Sequence, residues 1–185
     1  FVDDNPQHEE VNGHRVLTYP DFLSTDAEER FVAIAIADSK IREMLDDRCR
    51  RDGIRPWQVI AENAVIMDAV TLGDGSILSP FVTLTSNIRI GRCFHANIYS
   101  YVAHDCLIGD FVTFAPSVRC NGNVIIEDHA YLGTAANIRN GTPAKPLIIG
   151  AGAIVGMGAV VTKSVPAGAT VIGNPARAML PKDKS

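Results

Sequence analysis

The sequence from residue 84 to residue 114 reads LTSNIRIGRCFHANIYSYVAHDCLIGDFVTF, and in it a residue able to face an apolar core returns every six positions. The period continues without a slip from Ile60 to Ile138. It fits neither an α-helix nor an isolated strand, and it is a signature of the parallel β-helix. The residues at this spacing are Ile60, Ile66, Leu72, Leu78, Leu84, Ile90, Ala96, Val102, Ile108, Phe114, Cys120, Ile126, Leu132 and Ile138.

Three six-residue units make one triangular coil of 18 residues. A second small or β-branched residue follows each ladder position by four, so each unit points two side chains inward. Stacked coils pair their backbones in parallel ladders and bury a continuous column, in which each Ile or Leu contributes roughly 1.5–3 kcal/mol. The sequence therefore predicts a mainly β protein built on this column.

The ladder breaks once, after Ile138, and the next inward residue is Ile149. The intervening segment, residues 140–146, is rich in turn formers and predicts a loop pushed out of a coil. Such a loop is either a wall of a binding site or an inert insertion. Residues 171–179 are expected to cap the open end of the column, since an uncovered edge invites pairing.

Composition excludes several classes of protein. The 185 residues are 46% hydrophobic and 21% charged, with a formal net charge of −4 and a pI near 5.7. A nucleic-acid-binding domain needs a clustered basic surface, and no such cluster occurs in the sequence. No apolar run reaches the roughly 18 residues of a membrane span, and no signal segment opens the chain, so we expect a cytoplasmic protein. The cysteines form no C-x-x-C pair and are expected to be reduced core thiols: Cys49, Cys93, Cys106 and Cys120.

The N-terminal part has a different pattern, and we place the domain boundary near residue 57, giving domains 1–57 and 58–185. Residues 16–23 are strand-like, and the apolar run 31–37 suits a strand buried on both faces of a parallel sheet. Asp38 offers an N-cap for a helix over 40–51. Strand, cap and helix form half of an α/β, Rossmann-like unit. Because the chain opens at Phe1 in what reads as the middle of a fold, we expect about 25–30 upstream residues to be absent.

Candidate substrate contacts in this part follow from a general rule. Ligands of α/β sheets bind at the carboxyl ends of strands, with phosphates on helix N-termini. The residues in such positions are Asp3, Asp4, Asp38 and Ser39. A solvated turn at 3–6 and a simple helix cap at 38–39 explain the same residues without a ligand.

The candidate catalytic residues lie within the coils. His104 is followed by Asp105, and a carboxylate beside a histidine can hold one tautomer and stabilise the imidazolium of a general base. With an 18-residue coil, Gly122 stacks beside His104 at roughly 4.8 Å and offers a backbone N–H to a developing oxyanion. Asn97 adds an amide that can orient a nucleophile. The alternative for the His-Asp pair is a solvated polar patch.

Three strings carry a family resemblance: YVAHDCLIGDFVTFAP (101–116), CNGNV (120–124) and GAIVGMGAVVTKSVPAGATVIGNPAR (152–177). With them the chain resembles the left-handed β-helix, hexapeptide-repeat acyltransferases, in particular the bacterial nucleotide-sugar N-acetyltransferases that act on UDP-, GDP- or dTDP-linked 4-amino sugars. The strand–helix segment AIADSKIR (35–42) is similar to that family's N-terminal domain. The resemblance covers essentially the whole chain.

The resemblance implies an acetyl-CoA-dependent enzyme that acetylates the amine of a nucleotide-linked amino sugar, with the active site between two subunits of a homotrimer and no metal. It implies that His104 is the base, oriented by Asp105, and that no acyl-enzyme forms. Gly122 would hold the carbonyl oxygen, and Asn97 would help to place the acceptor. Implied cofactor contacts are Gly122, Thr113, Gly156, Gly158, Lys163 and Arg177. At Thr113 several relatives have a second histidine, so this sequence departs from them there.

Three other functions use the same features. The first is an O-acetyltransferase acting on a sialic acid or another sugar hydroxyl, with the same base and donor. The second is a trimeric zinc hydratase, which needs three histidines around the metal; His95, His104 and His129 lack the spacing for it. The third is a non-catalytic β-helical scaffold, in which the stacking of His104 on Gly122 would be a coincidence.

Overall fold

The computed structural model describes residues 1–179, which divide into two compact units, Phe1–Arg30 and the chain from Phe31 onward. The segment 31–56 thus belongs to the same unit as the coils. The assignment of 1–57 as one nucleotide-sugar domain stays a prediction.

The first unit contains an antiparallel pair of strands, β1 (Glu10–Val11) and β2 (His14–Arg15), and a short helix, α1 (Tyr19–Leu23). The strand-like reading of residues 16–23 is therefore wrong beyond Leu17, which forms a parallel bridge with Val2. The helix begins there because the Thr18 side chain caps it, accepting a hydrogen bond from Asp21 N–H, and because proline is well suited to a first turn.

The second unit opens with a parallel βαβ element made of β3 (Phe31–Val32), α2 (Ser39–Arg51) and β4 (Arg55–Pro56). The predicted cap at Asp38 and the predicted helix are confirmed. The prediction of a buried strand over 31–37 is wrong in two respects. Only the first two residues of the run pair in a strand, and only Ile34 in the run is buried. Its partner β4 ends at Pro56, which has no N–H with which to extend the ladder.

The coils begin after residue 57, and their short strands recur along the chain. In order they are β5 (Val59–Ile60), β6 (Val65–Ile66), β7 (Val70–Leu72), β8 (Ile77–Leu78), β9 (Thr83–Leu84), β10 (Ile88–Ile90), β11 (His95–Ala96), β12 (Tyr101–Val102), β13 (Leu107–Ile108), β14 (Thr113–Phe114), β15 (Arg119–Cys120), β16 (Val124–Ile126), β17 (Tyr131–Leu132), β18 (Asn137–Ile138), β19 (Leu147–Ile149), β20 (Ile154–Val155), β21 (Val160–Val161), β22 (Thr170–Ile172) and β23 (Arg177–Ala178).

These strands form the three faces of a left-handed parallel β-helix, as predicted. The 18-residue register is explicit: Val102 pairs with Leu84 on one side and with Cys120 on the other. Residues at the six-residue spacing from Leu78 to Ile138 are all buried and form one continuous core cluster. The period of six thus determines both the pairing and the core.

The two ends of the column differ from its middle. Ile60 and Ile66 belong to the first coil, which is covered by another coil on one side only, and they are 43% and 40% exposed. They keep the predicted register, since Ile60 pairs with the buried Leu78 and Ile66 with the buried Leu84, but they are not themselves buried. At the other end, β22 pairs with β20 and then with β23 in an antiparallel turn, so the predicted cap is present.

A buried arginine joins α2 to the coils. Arg42 has no exposed surface and donates five hydrogen bonds. A guanidinium can satisfy so many acceptors because its donors point outward in a rigid fork. Its acceptors are the carbonyl oxygens of Ile36, Ala37, Cys93 and Phe111 and the hydroxyl of Thr113. This network explains why 31–56 forms one unit with the β-helix.

The buried face of α2 is polar. Of the three residues that the sequence places at helical spacing, Ile41 and Met44 are 44% and 59% exposed, and Leu45 is half-buried. The buried positions are instead Arg42, Asp46 and Cys49. All four cysteines are free and buried, as predicted. Within residues 1–179 no helix is both long and apolar enough to span a bilayer.

Candidate active site

The His104–Asp105 pair lies at the coil corner that follows β12. His104 Nδ1 lies 2.7 Å from Asp105 Oδ2, and the two side chains are 57% and 46% exposed. A carboxylate only accepts, so Nδ1 carries a proton, and in the neutral ring Nε2 is the nitrogen that can accept one. The pair therefore has the tautomer that a general base needs.

Asp105 is held as an anion by its neighbours. The hydrogen bond from His104 lowers the pKa of this carboxyl below its ordinary value, and a second bond, from Asn87, lowers it further. Asn87 Nδ2 donates to Asp105 Oδ1 at 3.1 Å. Both hydrogen bonds therefore favour the charged form of the carboxylate beside the imidazole.

Gly122 stacks on His104 as the 18-residue count predicted. A Cβ at Gly122 would lie 2.6 Å from both Cε1 and Nε2 of His104, which is closer than real Cβ atoms approach other groups. Only glycine therefore fits beneath the ring. Within residues 1–179 the backbone N–H of Gly122, a buried residue, donates to no backbone acceptor, so its donor capacity is unused.

The loop over residues 140–146 begins and ends on the peptides next to Gly122. Gly141 N–H donates to Gly122 O at 3.0 Å, and Leu147 N–H donates to Asn123 O at 3.2 Å. Between them, Thr142 and Lys145 exchange two backbone hydrogen bonds and close a tight hairpin. The 140–146 insertion therefore leaves the coil beside Gly122, whose backbone N–H is the predicted hydrogen-bond donor to the carbonyl oxygen.

Asn97 lies on another side of the coil from His104. It follows β11, and its amide oxygen accepts a hydrogen bond from Ile98 N–H at 3.2 Å. Within the described chain, no hydrogen bond joins it to His104 or Asp105. Its predicted role in placing the acceptor stays a prediction.

The predicted cofactor contacts are spread over the coils. Thr113 is buried and its hydroxyl accepts a hydrogen bond from Arg42, so a contact from this side chain to acetyl-CoA would compete with that bond. Gly156 packs against Ile172, which by itself accounts for a glycine there, whereas a Cβ at Gly158 would meet no described atom within 4 Å. Arg177 is exposed and donates to Ala176 O.

Lys163 shares a column with the catalytic pair. It follows Val161 by two positions, as His104 follows Val102 and Gly122 follows Cys120. The exposed lysine therefore lies three coils from His104, at about 14 Å by strand spacing.

The predicted substrate contacts are partly explained by local structure. Asp38 Oδ1 accepts from the N–H groups of Lys40 and Ile41, so its carboxylate caps α2. Ser39 is the first residue of that helix and is half-buried. Asp3 and Asp4 lie in the first unit, where Asp3 Oδ1 accepts from Asn5 N–H. These four residues stay predictions.

The histidines outside the pair have structural surroundings. His129 stacks on Phe111 and lies 2.9 Å from Lys40 Nζ. His95 lies on β11, where burial, followed by the charge of Arg42, lowers its pKa to about 4. Among residues 1–179 no three or more His, Cys, Asp or Glu side chains are grouped so as to hold a metal ion.

Sequence comparison is consistent with this geometry. No family model matches the sequence. Over 179 residues the chain is 55% identical to the GDP-perosamine N-acetyltransferase of Escherichia coli O157:H7, and the match covers 97% of this chain and 81% of that protein. The chain belongs to the nucleotide-sugar N-acetyltransferase family. This N-acetyltransferase is therefore an acyltransferase and not a non-catalytic scaffold, and the predicted family is confirmed.

Solved structures agree with the assignment of this N-acetyltransferase. WeeI from Acinetobacter baumannii AYE is 61% identical and superposes with a TM-score of 0.95, covering 97% of this chain and 84% of that one. PerB from Caulobacter crescentus, solved in complex with CoA and GDP-perosamine, is 27% identical with a TM-score of 0.86, covering 92% of this chain and 81% of that one. The predicted fold is thereby confirmed, and PerB binds CoA, the co-substrate class predicted for this chain.

Sequence reasoning missed two residues that the structure brings forward, Asn87 and Arg42. Asn87 could have been found by counting 18 positions back from Asp105. Arg42 gives no such signal, because a charged residue on a short helix is ordinarily read as exposed.

Proposed function

We propose that this enzyme transfers the acetyl group of acetyl-CoA to the amine of a GDP-linked 4-amino sugar of the perosamine type. The observation that carries the proposal is the stacking of the His104 ring on Gly122, which sets a base and a backbone donor side by side. The nucleotide and the sugar come from the relatives: the E. coli protein is named for GDP-perosamine, and PerB was solved with it.

The geometry supports direct transfer without an acyl-enzyme. His104 Nε2 accepts a proton from the sugar amine as its nitrogen forms a bond to the thioester carbon. Gly122 N–H donates to the carbonyl oxygen as negative charge develops there. The imidazolium of His104, stabilised by Asp105, then returns the proton to the departing sulfur as the carbon–sulfur bond breaks. The products are the amide and free CoA.

Substrate positions follow from the same column. The pantetheine arm would run along the coils from Gly122 toward the exposed ammonium of Lys163, which would meet a phosphate. Arg177 is a second candidate for that contact. Gly156 and Gly158 lie outside this column and are further candidates for contact with the arm. Asp3, Asp4, Asp38 and Ser39 are proposed for the nucleotide sugar, and Asn97 for placing its amine from a neighbouring subunit.

The assembly and compartment are part of the proposal. A homotrimer with sites between subunits is supported by apolar side chains on the outer surface of the coils, such as the stacked pair Phe81 and Tyr99, which are 51% and 58% exposed. The cytoplasm is proposed as the compartment.

The substrate is tested by measuring thiol release from acetyl-CoA with GDP-, UDP- and dTDP-linked 4-amino sugars, and with the matching 4-hydroxy sugars. The proposal predicts the highest kcat/KM for the GDP-linked amine. Faster turnover of a hydroxy sugar would instead identify an O-acetyltransferase. A burst of thiol with acetyl-CoA alone would reveal an acyl-enzyme and overturn direct transfer.

A further inference from the structure

We propose that Asn87 is a positioning residue for acetyl transfer, whose side-chain amide fixes the Asp105 carboxylate that in turn orients His104. The proposal rests on the proposed role of His104 as the base. Each oxygen of the carboxylate has its own partner: Oδ2 is bound to His104 Nδ1 at 2.7 Å, and Oδ1 accepts from Asn87 Nδ2 at 3.1 Å. The three side chains form a chain that spans two coils.

The fold alone does not explain an asparagine at this corner. Asn87 has a φ of 56°, in the left-handed region that asparagine tolerates well. However, Ala69 occupies the same column one coil earlier with a φ of 53°, and Ala135 and Phe81 occupy other corners with φ of 58° and 64°. Since these corners accept residues without a side-chain amide, the backbone does not select asparagine at 87.

The carboxylate of Asp105 needs a second partner. Its side chain is 46% exposed, and the terminal torsion of an aspartate is broad, so one hydrogen bond to His104 leaves the carboxylate free to rotate. The bond from Asn87 fixes the carboxylate plane, and the bond between Asp105 N–H and Ser86 O fixes the backbone beneath it. Both side-chain bonds also lower the pKa of Asp105. The ring of His104 is thereby kept over Gly122.

The test is a double-mutant cycle in the intact enzyme, using thiol release with saturating acetyl-CoA and GDP-perosamine. Asn87→Ala is expected to lower kcat about three- to tenfold, the effect of one partly solvated bond to a charged acceptor, with both KM values unchanged. In an Asp105→Ala background the same substitution is expected to change kcat by less than about twofold, because its target is absent. Ser117→Ala, at a corner with φ of 61°, is the control for altering a corner residue and should leave kcat unchanged.

A second substitution covers the case in which Asn87→Ala folds poorly. Asn87→Asp keeps the shape and the tolerance of positive φ but replaces the donor by an acceptor facing Asp105, so kcat should fall at least as far as in the alanine variant. An unchanged kcat in either folded variant would overturn the proposal, as would an equal loss with and without Asp105. His104→Ala separates the two hypotheses. If it is inactive while the Asn87 effect is independent of Asp105, only the positioning role fails; if it is active, the base assignment fails as well.

Discussion

Substituting Gly122 by alanine tests the stacked geometry on which acetyl transfer depends. The added Cβ would lie 2.6 Å from His104 Cε1 and Nε2 and 3.0 Å from Nδ1. The ring cannot stay in place at those distances, and its Nδ1 is tied to Asp105 at 2.7 Å. Since the His104 side chain is more than half exposed, we expect it to swing into solvent instead of distorting the coil.

The magnitude follows from that displacement. A base moved by an ångström or more loses about 10² in rate, and a base removed altogether loses 10²–10⁴. We therefore expect kcat/KM of Gly122→Ala to fall by about 10²–10³. The fold should lose no more than about 1 kcal/mol, which for a chain of this size corresponds to a change in Tm of about 2–4 °C.

The assay is thiol release with GDP-perosamine, beside thermal unfolding of the same preparations. Gly152→Ala is the control for adding a methyl group to a coil: a Cβ at Gly152 would meet no described atom within 4 Å, but its φ of +63° makes alanine strained there, so Tm should fall slightly while kcat/KM equals that of the parent. A Gly122→Ala enzyme with kcat/KM within threefold of the parent would refute the claim that His104 must lie against a residue without a side chain.

Three further outcomes are expected. Arg42→Met removes the donor of four carbonyl oxygens at about 1–3 kcal/mol each, so Tm should fall by at least about 8 °C, at about 2 °C per kcal/mol. The exposed Arg51→Ala should change Tm little, and an equal Tm for the two variants would contradict the role of Arg42. His95 has a folded pKa of about 4 against an ordinary 6.5, so the unfolded state binds more protons between these values, and stability should fall by about 2 kcal/mol from pH 6.5 to pH 5. Urea unfolding should show a smaller loss for His95→Gln, and an identical loss would contradict the assignment. Gly141→Ala would bring a Cβ against Asn123 O and Leu147 N, so kcat/KM should fall about tenfold while Tm changes by a few degrees. Unchanged activity would show that the 140–146 hairpin does not contribute to the active site.

The sequence predicts both the β-helix and its register because both follow from the same six-residue repeat. A six-residue repeat of apolar residues determines which side chains face the core, and three repeats determine which residues stack. That count alone brings His104 to Gly122. The same count gives the register of Ile60 and Ile66 but not their exposure, because a repeat pattern does not show which coil lies at the end of the column.

The N-terminal part was less predictable because its elements are short and its contacts are polar. The run 31–37 reads as a buried strand, yet its pairing stops at Pro56 of the partner strand. On α2, the apolar pattern points to a face that lies outside, since the buried Arg42 determines how the helix packs. Single-sequence patterns follow hydrophobicity, and they miss an interface whose energy comes from hydrogen bonds to carbonyl groups.

The measurement that tests the central claim most directly is kcat/KM for acetyl transfer to GDP-perosamine by His104→Ala, beside the parent and His8→Ala as a control for loss of a surface histidine. The base assignment predicts a loss of 10²–10⁴ for His104→Ala, unchanged activity for His8→Ala and an unchanged Tm for both. A His104→Ala enzyme within about threefold of the parent would contradict the claim that this imidazole accepts the proton of the sugar amine.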